Sequence, residues 1–101
     1  MTAPGPALVI WGYDLPITGR PRLALPEGAR VLSVGPPRDG RDVLDLWVAV
    51  DPRNDTLMGR VPRDFRVVGT GHPLPDDCGP FVGTVPTHGG LLVWHVFEAL
   101  S

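Results

Sequence analysis

Val43-Leu44-Asp45-Leu46-Trp47-Val48-Ala49-Val50-Asp51 is the stretch that decides the fold. Leu44, Leu46, Val48 and Val50 fall on one side of an extended chain, and Val43, Asp45, Trp47, Ala49 and Asp51 on the other. A period of two belongs to a half-buried strand, so the first set is expected in the core. Trp47 has an acid on either side of it on its own face, which places it at a rim or an interface.

Upstream of this strand, Ala7–Asp14, Arg22–Leu25 and Arg30–Val34 read as strands rich in branched and aromatic residues. Leu15–Pro21 breaks the first from the second. Pro26-Glu27-Gly28-Ala29 is a turn in which proline sets one corner and glycine takes a positive φ. Gly35–Asp42 is a polar hairpin loop. Downstream, 52–62 has no period of either kind, and the strand pattern resumes from Arg63 to Val68. Pro75–Pro80 is a turn cluster. A final hairpin runs through Phe81–Val85, Pro86–Gly90 and Leu91–Glu98.

The last of these segments is apolar on both faces, as a strand covered on both sides would be, and its outer face is expected to meet a partner chain. Its Val, Trp and Phe content and the Gly89-Gly90 turn before it favour a strand over a helix of the same length.

Thirteen glycines and thirteen prolines, spread along 101 residues, leave no window for a long helix. The expected fold is all-β, six to eight short antiparallel strands closed as a small barrel or sandwich. With 43% hydrophobic residues the chain can build one core, giving a single β domain over 7–101 behind a flexible lead-in at 1–6.

Charge narrows the function. A net charge of −2 disfavours a nucleic-acid polymer as partner, because phosphate contacts supply most such affinity. Every basic residue is Arg, whose planar fork suits carboxylate or phosphate. One cysteine, Cys78, cannot form an intrachain disulfide, and no apolar run approaches the roughly 20 residues of a membrane span. These features, with an N-terminus that lacks a signal core, point to the cytosol.

Val67-Val68-Gly69-Thr70-Gly71-His72-Pro73-Leu74-Pro75 combines an apolar run, two glycines, a titratable side chain and two prolines. The glycines can turn successive N–H groups into a nest for an anion, with Thr70 and His72 adding donors. The plainer reading is a tight strand-to-loop bend. No Gly-Lys-Ser/Thr follows, so it is not a nucleotide-hydrolase phosphate loop. The candidate ligand site is Gly69, Thr70, Gly71 and His72, with Arg63 and Arg66 just upstream as its cations. Alternation puts Arg66 opposite Phe65 and Val67, so a solvated strand edge is the competing role for these arginines.

His72, Cys78, His88 and His95 match no paired metal-ligand spacing, and Ser33 or Cys78 with a histidine sits in no nucleophile-elbow context. No metal, cofactor or catalytic residue is expected. His95, between Trp94 and Val96, reads as a satisfied core or interface histidine. Trp47, Trp94 and Phe97 are the candidate interface anchors for a homo-oligomer, commonly a two-fold dimer.

Trp11 with Leu15-Pro16-Ile17-Thr18, Leu25-Pro26-Glu27-Gly28-Ala29-Arg30-Val31-Leu32-Ser33-Val34, Leu46-Trp47-Val48-Ala49-Val50-Asp51-Pro52, Val68-Gly69-Thr70-Gly71-His72-Pro73, Gly83-Thr84-Val85 and Trp94-His95-Val96-Phe97-Glu98 together resemble a family of short uncharacterised proteins found mostly in bacteriophage genomes and prophages. The resemblance implies a phage origin and a small β domain, and it brings no activity with it. The expected function is a non-enzymatic phage accessory protein in the host cytoplasm, an oligomer that sequesters a small anionic, nucleotide-like ligand and so counters host defence. The alternatives are a virion or assembly component docking through apolar strands, and a direct inhibitor of a host protein.

Overall fold

The computed structural model describes residues 7–100, and the lead-in expected at 1–6 lies outside them. Seven strands follow in chain order: β1 (Val9–Pro16), β2 (Arg22–Pro26), β3 (Arg30–Gly35), β4 (Val43–Val50), β5 (Arg60–Gly69), β6 (Cys78–Thr87) and β7 (Leu92–Ala99). Single 3-10 turns occupy Pro52–Asn54 and His88–Gly90. The strands form two antiparallel sheets, β1-β4-β3 and β2-β5-β7-β6. The expected all-β sandwich is therefore what forms, and it is open rather than closed into a barrel.

Alternation in β4 places the core. Leu44, Leu46, Val48 and Val50 are fully buried, as is Leu15 beside them on β1, and they meet Leu25, Phe65, Val85 and Val96 across the sandwich. Asp45 faces the other way yet is only 2% exposed. The β3–β4 hairpin loop folds back over that outer face, where Arg38 Nε donates to Asp45 at 2.8 Å and its guanidinium lies 5.1 Å from the centre of the Trp47 ring. Gly12 on β1 leaves room for that ring: a Cβ there would stand 3.0 Å from the indole. Trp47 thus lies half-buried on the outer face of the three-stranded sheet.

Strand boundaries differ from the sequence reading wherever a proline or glycine is tolerated by an edge. β1 runs through Leu15 to Pro16, pairing Leu15 with Leu44. β5 begins at Arg60, because Pro62 lies in the half of that strand that pairs with β2 alone. β6 spans Cys78–Thr87, absorbing parts of both presumed turn clusters; it is a sheet edge with register shifts between Cys78 and Phe81 and between Phe81 and Gly83. The 26–29 turn forms as expected, with Gly28 at φ +76° and Ala29 N donating to Pro26 O at 3.1 Å.

The last strand is central, flanked by β5 and β6. Since both neighbours are antiparallel to β7, residues 70–77 must return along the sheet from the Trp94 end to the Ala99 end. Asp77 at the close of this crossover accepts from Arg66 Nε at 2.9 Å, and Arg66 and Val68 are buried although they project from the outer face.

Candidate functional site

The bend after β5 is closed by His72 N donating to Gly69 O at 3.0 Å. Its two glycines are required for different reasons. Gly71 sits at φ +90°, a conformation costly to any residue with a Cβ. Gly69 does not; a Cβ there would instead stand 3.3 Å from the Trp94 ring and 3.5 Å from His72 Nδ1. Thr70 ties the bend to the sheet: its N–H donates to Val93 O at 3.1 Å, and its hydroxyl shares a 2.7 Å hydrogen bond with His95 Nε2. His95 Nδ1 shares a second, at 3.0 Å, with the Thr84 hydroxyl. His95 is thus engaged through both nitrogens and holds the bend to two strands, a role that its place in an apolar run did not reveal.

Clefts flank the bend on both sides. One of about 380 Å³ lies between it and residues 17–20, bounded by Thr18, Arg20, Val68, Gly69, His72 and Trp94. Another of about 290 Å³ lies toward Leu91–Trp94 and shares Gly69, His72 and Trp94 with the first. A third of about 440 Å³, between the β3–β4 loop and the His88–Gly90 turn, shares Ile17 with the first. All three open at the end of the sandwich where the β1–β2, β3–β4, β5–β6 and β6–β7 connections gather. Trp94 Nε1 donates to Thr87 Oγ1 at 3.0 Å, which fixes the indole in the wall.

Gly69, Thr70, Gly71 and His72 are brought together at this end, whereas Arg63 and Arg66 are not. Arg63 precedes Gly69 by six residues, roughly 20 Å of extended chain. It points between the sheets at the opposite end, donating to Ala29 O and Glu98 Oε2, each at 2.8 Å. Arg66 lies on the outer face with Asp77. Its hydrogen bond holds the Asp77 carboxyl below the usual range, and Asp77 in turn raises the Arg66 guanidinium. The arginine lining the cleft is Arg20, which sequence reasoning did not nominate. It is positioned by tertiary bonds, Phe65 N to Pro21 O at 2.9 Å and Val67 N to Gly19 O at 3.4 Å, that run residues 19–21 alongside β5.

Trp47, Trp94 and Phe97 do not share a surface. Trp47 lies on the outer face of the three-stranded sheet, Trp94 lines the clefts, and Phe97 packs on Phe81 at 5.3 Å on the outer face of the other sheet. Cys78 stands opposite Ala99, at the far end of β6 from the bend. Burial, with the Asp77 carboxylate beside it, raises its thiol, which is protonated at neutral pH. Ser33 faces Trp47 on the other sheet.

Fold and site together define a small open β-sandwich whose connections build adjoining clefts at one end. The chain belongs to the family described as a domain of unknown function, DUF7352, whose model matches residues 7–101. No curated protein and no solved structure matches it.

Proposed function

We propose that this protein is a non-enzymatic accessory protein of a phage or prophage, acting in the host cytoplasm as a self-associating domain that sequesters a small anionic, nucleotide-like ligand. The observation that carries this reading is the joint lining of one cleft by the Gly69–His72 bend, Arg20 and Trp94. Arg20 supplies charge-assisted donors for a phosphate or carboxylate, His72 adds a ring N–H, and Trp94 supplies an aromatic wall for a base. A volume of about 380 Å³ is at the small end of ligand sites, the range of a mononucleotide-sized molecule.

The test is twofold: analysis of small molecules released by heat from protein purified out of infected cells, and thermal shifts with a nucleotide panel for wild type, His72→Ala and Arg20→Ala. Wild type should be stabilised by one nucleotide class and both variants less so. An empty extract together with flat shifts for all three proteins would sink the reading.

One observation favours a second reading, a virion or assembly component. Leu57 and Met58 are 92% and 93% exposed at the tip of the β4–β5 connection. The tip is held rigid, with Gly59 N donating to Thr56 O at 3.1 Å, Glu27 N to Gly59 O at 2.7 Å and Asn54 Nδ2 to Glu27 O at 2.9 Å. A preorganised apolar tip suits docking into a partner's pocket. Finding the chain by mass spectrometry in purified particles, and losing it there with Leu57→Ser plus Met58→Ser, would favour this role over the first.

A further inference from the structure

Two open sheets have four edges, and three of them are blunted. β2 is five residues long, begins at Arg22 and ends at Pro26. β3 begins at Arg30, carries a register irregularity between Val31 and Ser33, and abuts β6 so closely that a Cβ at Gly83 would stand 3.0 Å from Val34 Cγ1. β6 contains Pro80 and Pro86 and two register shifts. Short length, charge, proline and bulges are the ordinary devices that stop strands pairing with strangers.

β1 keeps its only charge and proline, Asp14 and Pro16, at its C-terminal end. It runs eight residues in unbroken register with β4, and Leu8-Val9-Ile10-Trp11-Gly12-Tyr13 includes neither charge nor proline. Among the described residues no backbone hydrogen bond reaches Val9–Leu15 from the side away from β4. Leu8, Val9 and Ile10 are 53%, 37% and 62% exposed. Trp11 and Tyr13 point toward the core but are only half-buried, because the sandwich is shut on the β3/β6 side and open on the β1/β2 side.

We infer that β1 pairs antiparallel with β1 of a second copy of this chain about a two-fold axis at Trp11, joining two three-stranded sheets into one of six strands. The sequence of the edge is self-complementary in that register. Ile10 falls opposite the partner's Gly12 and can cover the Trp47 ring that lies against that glycine. Val9 falls opposite the partner's Tyr13, and Leu8 opposite the partner's Asp14, whose charge is already held by Arg41 at 2.8 and 2.9 Å. Centring the pair on Gly12 sets the two glycines opposite each other, so that Ile10 meets the partner's Asp14 and no longer covers the Trp47 ring, and centring it on Ile10 shortens the ladder. A two-fold edge pairing closes on itself and leaves no further edge of this kind free. The inference builds on the self-association proposed above and is independent of the ligand.

An interface of one strand pair is small, so a dissociation constant of roughly micromolar order is expected. Sedimentation velocity on the full chain, from about 1 to about 100 µM, should show a monomer–dimer equilibrium for wild type. Ile10→Lys should be monomeric throughout with an unchanged circular dichroism spectrum, whereas Phe81→Lys, on the other sheet's exposed aromatic, should dimerise like wild type. Wild type remaining monomeric overturns both self-association and this surface. A dimer that survives Ile10→Lys but not Phe81→Lys overturns the surface alone. Should Ile10→Lys not fold, amide exchange in wild type decides: amides of Val9–Tyr13 directed away from β4 must slow as concentration rises, and exchange independent of concentration rejects the pairing.

Discussion

Adding one methyl group to each glycine of the bend separates steric from conformational demand. At Gly69 the new Cβ would lie 3.3 Å from Trp94 Cζ3, 3.5 Å from His72 Nδ1 and 3.6 Å from His72 Cε1. The backbone there is ordinary strand, paired with Trp94. The His72 distances are ordinary contacts and the Trp94 ring need yield only a few tenths of an ångström, so Gly69→Ala should cost no more than about 1 kcal/mol, the low end of the usual range for overpacking. At Gly71 nothing lies within 4 Å, but φ is +90°. Forcing a side chain into the left-handed region costs about 1–2 kcal/mol. Urea denaturation followed by circular dichroism should therefore rank Gly71→Ala as the more damaging, with a melting temperature lower by about 4–8 °C for each kcal/mol lost. Gly71→Asn should recover part of the loss, since Asn enters that region more readily. Ligand binding should show the reverse order, because the Gly69 methyl fills the space between two cleft-lining rings while the Gly71 methyl points into solvent. Equal or greater destabilisation by Gly69→Ala, or no recovery with Gly71→Asn, would refute this division of roles.

Leu46→Ala, at the centre of β4, should cost about 2–5 kcal/mol, measured as a lower urea midpoint with unchanged slope. Gly83→Ala should destabilise by about 1–3 kcal/mol by pushing β6 off Val34, and adding Val34→Ala should return part of that in a double-mutant cycle. The carboxyls of Asp39, Asp51, Asp64 and Asp77 are held below their usual range, Asp39 chiefly by the Arg41 backbone N–H and the others chiefly by an arginine side chain. A folded pKa below the unfolded one gives stability that is present above roughly pH 4 and lost as pH falls through the folded value. The urea midpoint should thus be flat from neutral pH to about 5 and fall below about 4, less steeply in high salt because all of these pairs but Arg66–Asp77 face solvent. A midpoint that rose on acidification would contradict the pairing.

What the sequence disclosed tracks the range over which each signal acts. Alternation in Val43–Val50 is local to one strand, and it located the buried face of β4 residue by residue. The Pro26–Ala29 turn was legible because the φ that Gly28 adopts is a property of that residue. The double-sided apolarity of Leu91–Glu98 implied a strand covered on both sides with a partner chain on its outer face; β7 is central, but its outer cover includes the chain's own 70–77 crossover, which no periodicity in 91–98 encodes. Arg63 and Arg66 were drawn to the bend by proximity in sequence. An extended strand carries neighbours apart at about 3.3 Å per residue and turns them to opposite faces, so nearness along a strand was the wrong measure. Arg20 entered from some fifty residues upstream, through backbone bonds to Phe65 and Val67 that composition does not record.

The pairing of charges gives the cleft its character. Eight of the nine arginines lie within 4 Å of a carboxylate of the same chain, Arg30 alone having no such partner among the described residues. Arg30 apart, an anion has to displace an existing partner, and the looseness of each pair decides where it can. Asp77 serves two arginines unequally. Arg66, with its side chain 9% exposed, is fixed against it, whereas Arg20 is 68% exposed and stands 3.5 Å away. Because Arg66 continues to neutralise Asp77 when Arg20 leaves, rotating Arg20 into the cleft strands no buried charge. The same move from Arg63 would leave Glu98 and the Ala29 carbonyl without their donor. Among the candidate cations, Arg20 is thus the one an anionic ligand can recruit at least cost to the fold. Arg20→Ala should weaken nucleotide binding with little change in melting temperature, while Arg63→Ala should lower the melting temperature and leave binding to the folded protein intact. Isothermal titration alongside thermal melts of both variants would show it, and loss of binding in Arg63→Ala but not in Arg20→Ala would reverse the assignment.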